Sequence, residues 1–237
     1  MTRKEDTGAG KCANVSLFLN PDMKYTAPLY KNGTPQGSLC APTAQITSWH
    51  WEEAKKYRPK VYCSICAVED DYIFAWLSCF EWHRREVCIQ RDDPVYEDSC
   101  LELFLAPKDG DERYINIEVN PKGVYLSQFG TSRDDRVFLK EITGIEPKIN
   151  TLSYFGKWWL ARIELPVTLL QALYGEDFCL HDGQKMRGNF YKCGDKTRYP
   201  HWGAWSAVTD NPPGFHNPKC FGEIVVANQV TIKGGRA

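Results

Sequence analysis

From about residue 60 onward the chain falls into short runs of strand-forming residues, each closed by turn chemistry, and that pattern leaves few folds open. The runs are KVYCSICAV, YIFAWLSCFEW, CLELFLAP, RYINIEVN, VYLSQF, WWLARIELP, MRGNFYKC, HWGAWSAV and FGEIVV. Between them stand Glu69-Asp70-Asp71, Lys108-Asp109-Gly110-Asp111, Asn120-Pro121-Lys122-Gly123 and Asn211-Pro212-Pro213-Gly214, residues that favour tight turns. A helix is predicted only over Pro166 to Tyr174, opened by its proline and closed by Gly175. Many short strands with one brief helix predict an all-β, single-domain antiparallel β-sandwich, jelly-roll or immunoglobulin-like, and argue against alternating βαβ units. The first part of the chain carries Pro21, Pro28, Gly33, Pro35, Gly37 and Pro42 among short apolar pieces. It predicts an irregular arm, residues 1–50, packed on a sandwich formed by residues 51–237.

Charge narrows the partners. Lys and Arg number 29 against 30 Asp and Glu, a formal charge of −1, so no net field gathers nucleic acid or an anionic membrane surface. No run is apolar for the length a bilayer span needs, and the first residues lack a signal-peptide apolar region. The expectation is a soluble chain, cytoplasmic as given, or secreted if a leader has been removed. Ten cysteines would suggest disulfides in a small secreted domain, but this chain is large enough to fold without them. Cys63 and Cys66 form the one CxxC, inside a strand run whose alternation sends the two sulfurs to opposite faces. Cys79 and Cys100 also read as small buried residues.

Alternation assigns the faces. In Leu101 to Leu105 the odd positions are all Leu, which leaves Glu102 and Phe104 on the other side. Ile115, Ile117 and Val119 face inward, setting Tyr114, Asn116, Glu118 and Asn120 in a row opposite. The run with Ile163 and Leu165 inside puts Arg162 and Glu164 beside Trp158, and a later run sets out Arg187, Asn189 and Tyr191. A second face rich in Glu, Arg, Asn and aromatic groups suits a sugar: polar groups answer its hydroxyls, and rings answer its C–H face. The same charges can also simply pair across neighbouring strands.

The segment Val95 to Leu105, with Asp98-Ser99-Cys100-Leu101-Glu102 at its centre, followed by Tyr114 to Asn120 with Gly123, resembles family-9-like carbohydrate-binding proteins. Relatives of that group are the family-9 modules of xylanases and the wider set of sandwiches that includes DOMON domains. Trp158 to Pro166, then Trp202-Gly-Ala-Trp205-Ser206 and Phe215 to Gly222, continue the likeness over roughly residues 60 to 227. The resemblance implies a non-catalytic sandwich that grips the end of a mono- or oligosaccharide between two aromatic rings with help from Glu, Arg and Asn. It implies no required cofactor, though structural calcium is common in the group. The clamp positions, usually Trp, fall at Tyr96 and Phe215, and the motif glutamate at Glu102. The residues expected at the sugar are therefore Tyr96, Glu102, Glu118, Asn120, Arg187, Asn189, Trp202, Trp205 and Phe215.

Other readings are weaker. A glycosidase would use two carboxyls, with Glu102 and Glu118 as candidates, but Arg-rich surroundings are expected to keep such acids ionised. Haem would want axial Met or His, and the three Met stand at 1, 23 and 186. Asp92, Asp93 and Asp98 offer oxygen ligands for calcium. Cys193, His201, His216 and Cys220 have the chemistry for zinc but not the spacing of a common finger. A sandwich that has lost its sugar and serves as an interaction protein is the remaining alternative.

Overall fold

The computed structural model describes residues 23–31, 35, 41–50, 57–209 and 214–228. Their strands, in chain order, are β1 (Lys24–Tyr30), β2 (Ala44–Gln45), β3 (Ser48–His50), β4 (Lys60–Val68), β5 (Tyr72–Phe80), β6 (Cys100–Ala106) and β7 (Tyr114–Val119). They continue with β8 (Tyr125–Gly130), β9 (Val137–Phe138), β10 (Lys148–Tyr154), β11 (Trp158–Pro166), β12 (Lys185–Cys193), β13 (Trp202–Ala204) and β14 (Gly222–Asn228). Hydrogen bonding links them in the order β10-β11-β5-β4-β1-β14-β12-β6-β7-β8-β9, with β2, β3 and β13 attached at the side. The path curls into two facing halves, a β-sandwich.

Each half sends one side of every strand into a shared core, as period-2 alternation requires. Val61, Cys63, Ile65, Ile73, Ala75, Leu77, Trp159 and Ile163 come from one half and Leu101, Leu103, Leu105, Ile115, Ile117 and Val119 from the other. Each buried Val, Leu or Ile among them stabilises the fold by about 1.5–3 kcal/mol when it leaves water. The predicted helix is α2 (Val167–Tyr174), which lays Leu169, Leu170 and Leu173 on the core and ends at Gly175 with φ +112°, a conformation costly for any other residue. A single further turn, α1 (Leu139–Ile142), precedes β10. Cys63 lies in the main core and Cys66 in a cluster on the outer side, as alternation predicts.

Three features depart from the sequence expectation. Residues 24–30, inside the stretch expected to be irregular, form β1, which runs parallel to β14 and to β4 and so joins the two halves. The polar face expected to be shared by several strands is in fact two faces. Trp158, Arg162 and Glu164 lie on β11, in the opposite half from Glu102, where Arg162 pairs with Glu164 at 3.1 Å and covers the Phe74 ring. The third is cover: Phe104, Tyr114 and Tyr191 pack with Phe221 in a small outer core instead of meeting solvent.

Within the core end of β12 lies a buried ion pair. Lys192 Nζ is 3.0 Å from Glu81 Oε2, and neither side chain is accessible. Glu81 also accepts from Ser99 Oγ, from Trp159 Nε1 at 3.3 Å and from Cys79 Sγ at 3.2 Å. Burial alone would raise the Glu81 pKa, but the Lys192 ammonium, the Ser99 hydroxyl and His201 outweigh it and pull it down to about 2.

Candidate functional site

The outer face of β6, β7 and β12 stays uncovered at a cavity of about 430 Å³, within the range of roughly 300–1,000 Å³ usual for small-molecule sites. Its floor is Glu102 from β6, Glu118 from β7 and Cys193 from β12. The two acids are direct cross-strand partners, which sets their Cβ atoms about 4.5–5.5 Å apart. Cys193 Sγ donates to Glu102 Oε1 at 2.6 Å, and Asn116 Nδ2 donates to Glu118 Oε1 at 3.0 Å. Glu118 Oε2 is buried and has no hydrogen-bond partner.

Aromatic rings form the walls. Tyr96 stands on a 3₁₀ turn (Val95–Glu97) that is anchored by buried Val95 and tied to the loop after β12, since Asp195 N donates to Tyr96 O at 3.0 Å. Phe215 is stacked on Tyr191 with centroids 4.0 Å apart, and Tyr191 donates its hydroxyl to Phe215 O. Trp202, on β13, donates its indole N–H to Asp195 at 2.7 Å.

Cations come from the 131–136 loop. Asp135 accepts from the backbone N–H and hydroxyl of both Thr131 and Ser132, and these bonds hold its carboxyl well below the usual range. The loop folds back so tightly that a Cβ on Gly130 would lie 2.9 Å from Arg136 Cα. Arg133 and Arg136 thereby reach the cavity, and Arg136 Nη1 donates to Asn116 Oδ1 at 3.1 Å. His216 bonds Tyr114 OH through Nδ1 and stays neutral, because burial and the nearby arginines lower its pKa to about 3.

Burial decides the charge of the floor. It raises Glu102 well above a free carboxyl, and the neighbouring Glu118 charge raises it further. Burial also lifts Glu118 to about 7, against the opposing pull of Arg136 and Asn116. The expectation that arginines keep both acids ionised is therefore corrected: desolvation of two adjacent carboxyls outweighs them and pushes both toward protonation.

Of the nine residues expected at a sugar, Tyr96, Glu102, Glu118, Trp202 and Phe215 meet at this cavity and four stand elsewhere. Asn120 spends both amide protons on Cys88 O and Asp98, and its oxygen accepts from Lys122 and Val124 N–H, which fills its capacity. Asn189 brackets Ser206 through both its donor and its acceptor. Arg187 donates to Pro218 O at 2.6 Å, outside the cavity. Trp205 is core, edge-on to Tyr25 and Phe190. Arg133, Arg136 and His216 belong to the cavity but lie in loops with no strand pattern to reveal them, although two arginines within TSRDDR are a visible charge signal.

The acids suggested for calcium do not fit it. Asp98 is ion-paired with Arg85 and accepts from Val87 N, Cys88 N and Asn120; Asp92 meets Arg91 and Lys140; Asp93 accepts from Ile89 N and Gln90 N. Donors of the protein itself take the place a hard cation would need. No three of Cys193, His201, His216 and Cys220 come within metal-ligand spacing. Met186 is packed in the core.

The residue profile of carbohydrate-binding family 9 matches residues 39–226. The chain belongs to this family. Among solved structures, a Bacteroides uniformis protein assigned to carbohydrate binding has 26% identity and a TM-score of 0.70, over 86% of this chain and 98% of its own. A family-9 module from Caldicellulosiruptor kristjanssonii in complex with glucose has 10% identity and a TM-score of 0.63, over 88% of this chain and 98% of that one. The module from that organism in complex with cellotriose gives 10% and 0.63, over 91% and 99%. At that identity the likeness is one of fold. Among curated proteins none matches significantly. No helix among the described residues of this family-9 chain is long and apolar enough to cross a membrane.

Proposed function

We propose that the cavity binds the end of a mono- or oligosaccharide without cutting it. One observation carries this reading: Glu102 and Glu118 are buried side by side with an unpartnered oxygen, on a floor walled by Tyr96, Trp202 and Phe215. Carboxyls pushed toward protonation can donate as well as accept, which suits neighbouring hydroxyls, and the rings take the C–H face of the sugar. Arg133 and Arg136 add donors at the rim. Membership of family 9 supports a saccharide, and the glucose and cellotriose bound by the Caldicellulosiruptor modules make gluco-configured sugars the first to try. Hydrolysis is the second reading, since acids on neighbouring strands can reach the roughly 5 Å separation of a retaining glycosidase, and membership of a carbohydrate-binding family supports binding over cutting.

Calorimetric titration of glucose, cellobiose and cellotriose tests the proposal. At least one is expected to bind saturably, and Tyr96→Ala or Phe215→Ala to weaken it up to roughly tenfold, the worth of a ring contact. Absence of binding by any neutral or acidic sugar would defeat the reading. Release of product from a model glycoside that disappears in Glu102→Gln would replace it with a hydrolase.

A further inference from the structure

Beneath the cavity floor, β6 and β12 set Cys100 and Cys193 directly opposite one another. Glu102, two residues along β6 from Cys100, points to the same face. The two sulfurs and a Glu102 oxygen all lie within 4.8 Å of one another, and all three side chains are buried. Glu118, the cross-strand partner of Glu102, adds a buried oxygen with no donor. Asp98 and Asn120 nearby show what satisfied polar groups look like in this fold, each filled by the protein's own partners. Here two thiols and the Glu102 carboxyl face one another, beside the unpartnered Glu118 oxygen. Cys193 Sγ reaches Glu102 Oε1 at 2.6 Å and Tyr96 O at 3.4 Å, and Cys100 Sγ reaches the Leu101 carbonyl at 3.8 Å.

We propose that Cys100, Cys193 and Glu102 form a three-ligand site for a thiophilic divalent cation, zinc first, with the fourth position left to water. Tetrahedral zinc, with bonds of about 2.3 Å to sulfur and about 2.0–2.2 Å to oxygen, separates its ligand atoms by roughly 3.4–3.8 Å. The three ligand atoms lie within 4.8 Å of one another, so loading asks for shifts of about 1 Å, including drawing the 2.6 Å contact between Cys193 Sγ and Glu102 Oε1 apart. Two thiolates with one carboxylate select zinc or its softer congeners over calcium and magnesium, which take oxygen ligands. The balance is simple: the cation enters, each thiol releases its proton to solvent, any proton on Glu102 leaves with them, and no electron moves. Glu102 Oε1 meets Cys193 Sγ, and Glu102 also lines the cavity, so a metal and a sugar would share this side chain. The site stands whether or not the cavity takes sugar.

Cobalt(II) titrated into the reduced, metal-free full chain tests it without sugar. A stoichiometric thiolate-to-cobalt charge-transfer band with tetrahedral visible absorption is expected, displaced by zinc. Cys100→Ser should abolish the band at the same metal concentration, whereas Cys179→Ser, at the exposed thiol, and Cys12→Ser and Cys40→Ser should keep it. Should Cys100→Ser fail to fold, Glu102→Gln retains both thiols and is expected to lose the tetrahedral visible signature. No charge-transfer band in the wild type, or a band that survives both Cys100→Ser and Cys193→Ser, overturns the proposal. Sugar titration of the metal-free protein reports separately on the cavity.

Discussion

Lys192 and Cys193 are consecutive on β12 and point to opposite faces, and each meets a buried glutamate. On the inner face Glu81 faces an ammonium and three further donors and is held ionised, down to about 2. On the outer face Glu102 meets one thiol and a second glutamate, and the pair is pushed toward protonation. Both sites bury carboxyls in one sheet, but only the inner one faces its carboxyl with a cation, and only the outer one leaves a carboxyl oxygen without a partner. A buried acid whose partners are complete serves the fold. One left incomplete beside a cavity of ligand size, and ringed by aromatic groups, is what the proposed sugar site calls for.

The inner pair should give the largest effect. Lys192→Met strands Glu81 without its cation and is expected to cost about 3–5 kcal/mol in denaturant unfolding. The double change Lys192→Met with Glu81→Gln should recover much of that loss, since the isolated buried charge is the expense. A small loss in the single variant would mean that Glu81 is not held by Lys192.

Acidity should separate the two regions by sign. Glu118 in the folded protein sits near 7, above its unfolded value of 4.5, so the native state holds a proton that the unfolded chain has released. Its contribution to stability is greatest below pH 4.5 and is lost as pH rises through about 7, by on the order of 1 kcal/mol per pH unit. Glu81 runs the other way: its contribution is present above 4.5 and is lost as pH falls toward about 2. Glu118→Gln should therefore gain stability relative to wild type from pH 5 to 7 and change little near pH 4. A variant curve parallel to wild type across that window would contradict the assigned burial.

The smallest expected change in stability is at the rim. Asp135→Ala removes an exposed carboxyl that organises the 131–136 loop, and should alter unfolding by less than about 0.5 kcal/mol. Sugar affinity should nonetheless fall several-fold, because Arg133 and Arg136 lose their fixed approach. Unchanged affinity in calorimetry would remove the two arginines from the site.

Much of this comparison is legible in the strands and little of it in the loops. Alternation along Leu101 to Leu105 and Ile115 to Val119 identifies the core side and puts Glu102 and Glu118 together on the other. It does not tell that Phe104 and Tyr114 on that side are covered, because the cover comes from the irregular segment around Phe215 and Phe221. Nor can it assign β11 to the opposite half, since period-2 patterns carry no information on which sheet a strand joins. The meeting of Cys193 with Cys100 and Glu102 depends on the β6–β12 register, set across about ninety residues of chain. Lys192 shows the limit from the other side: alternation points it into the core, where a lysine is rarely found, and only Glu81 makes sense of it.

The most direct test pairs unfolding and sugar titration in one variant, Glu102→Gln. A ligand-reserved acid predicts a protein at least as stable as wild type at pH 7 that no longer binds the sugar bound by wild type. Undiminished binding, or a loss of several kcal/mol in stability comparable to that of Lys192→Met, would contradict it.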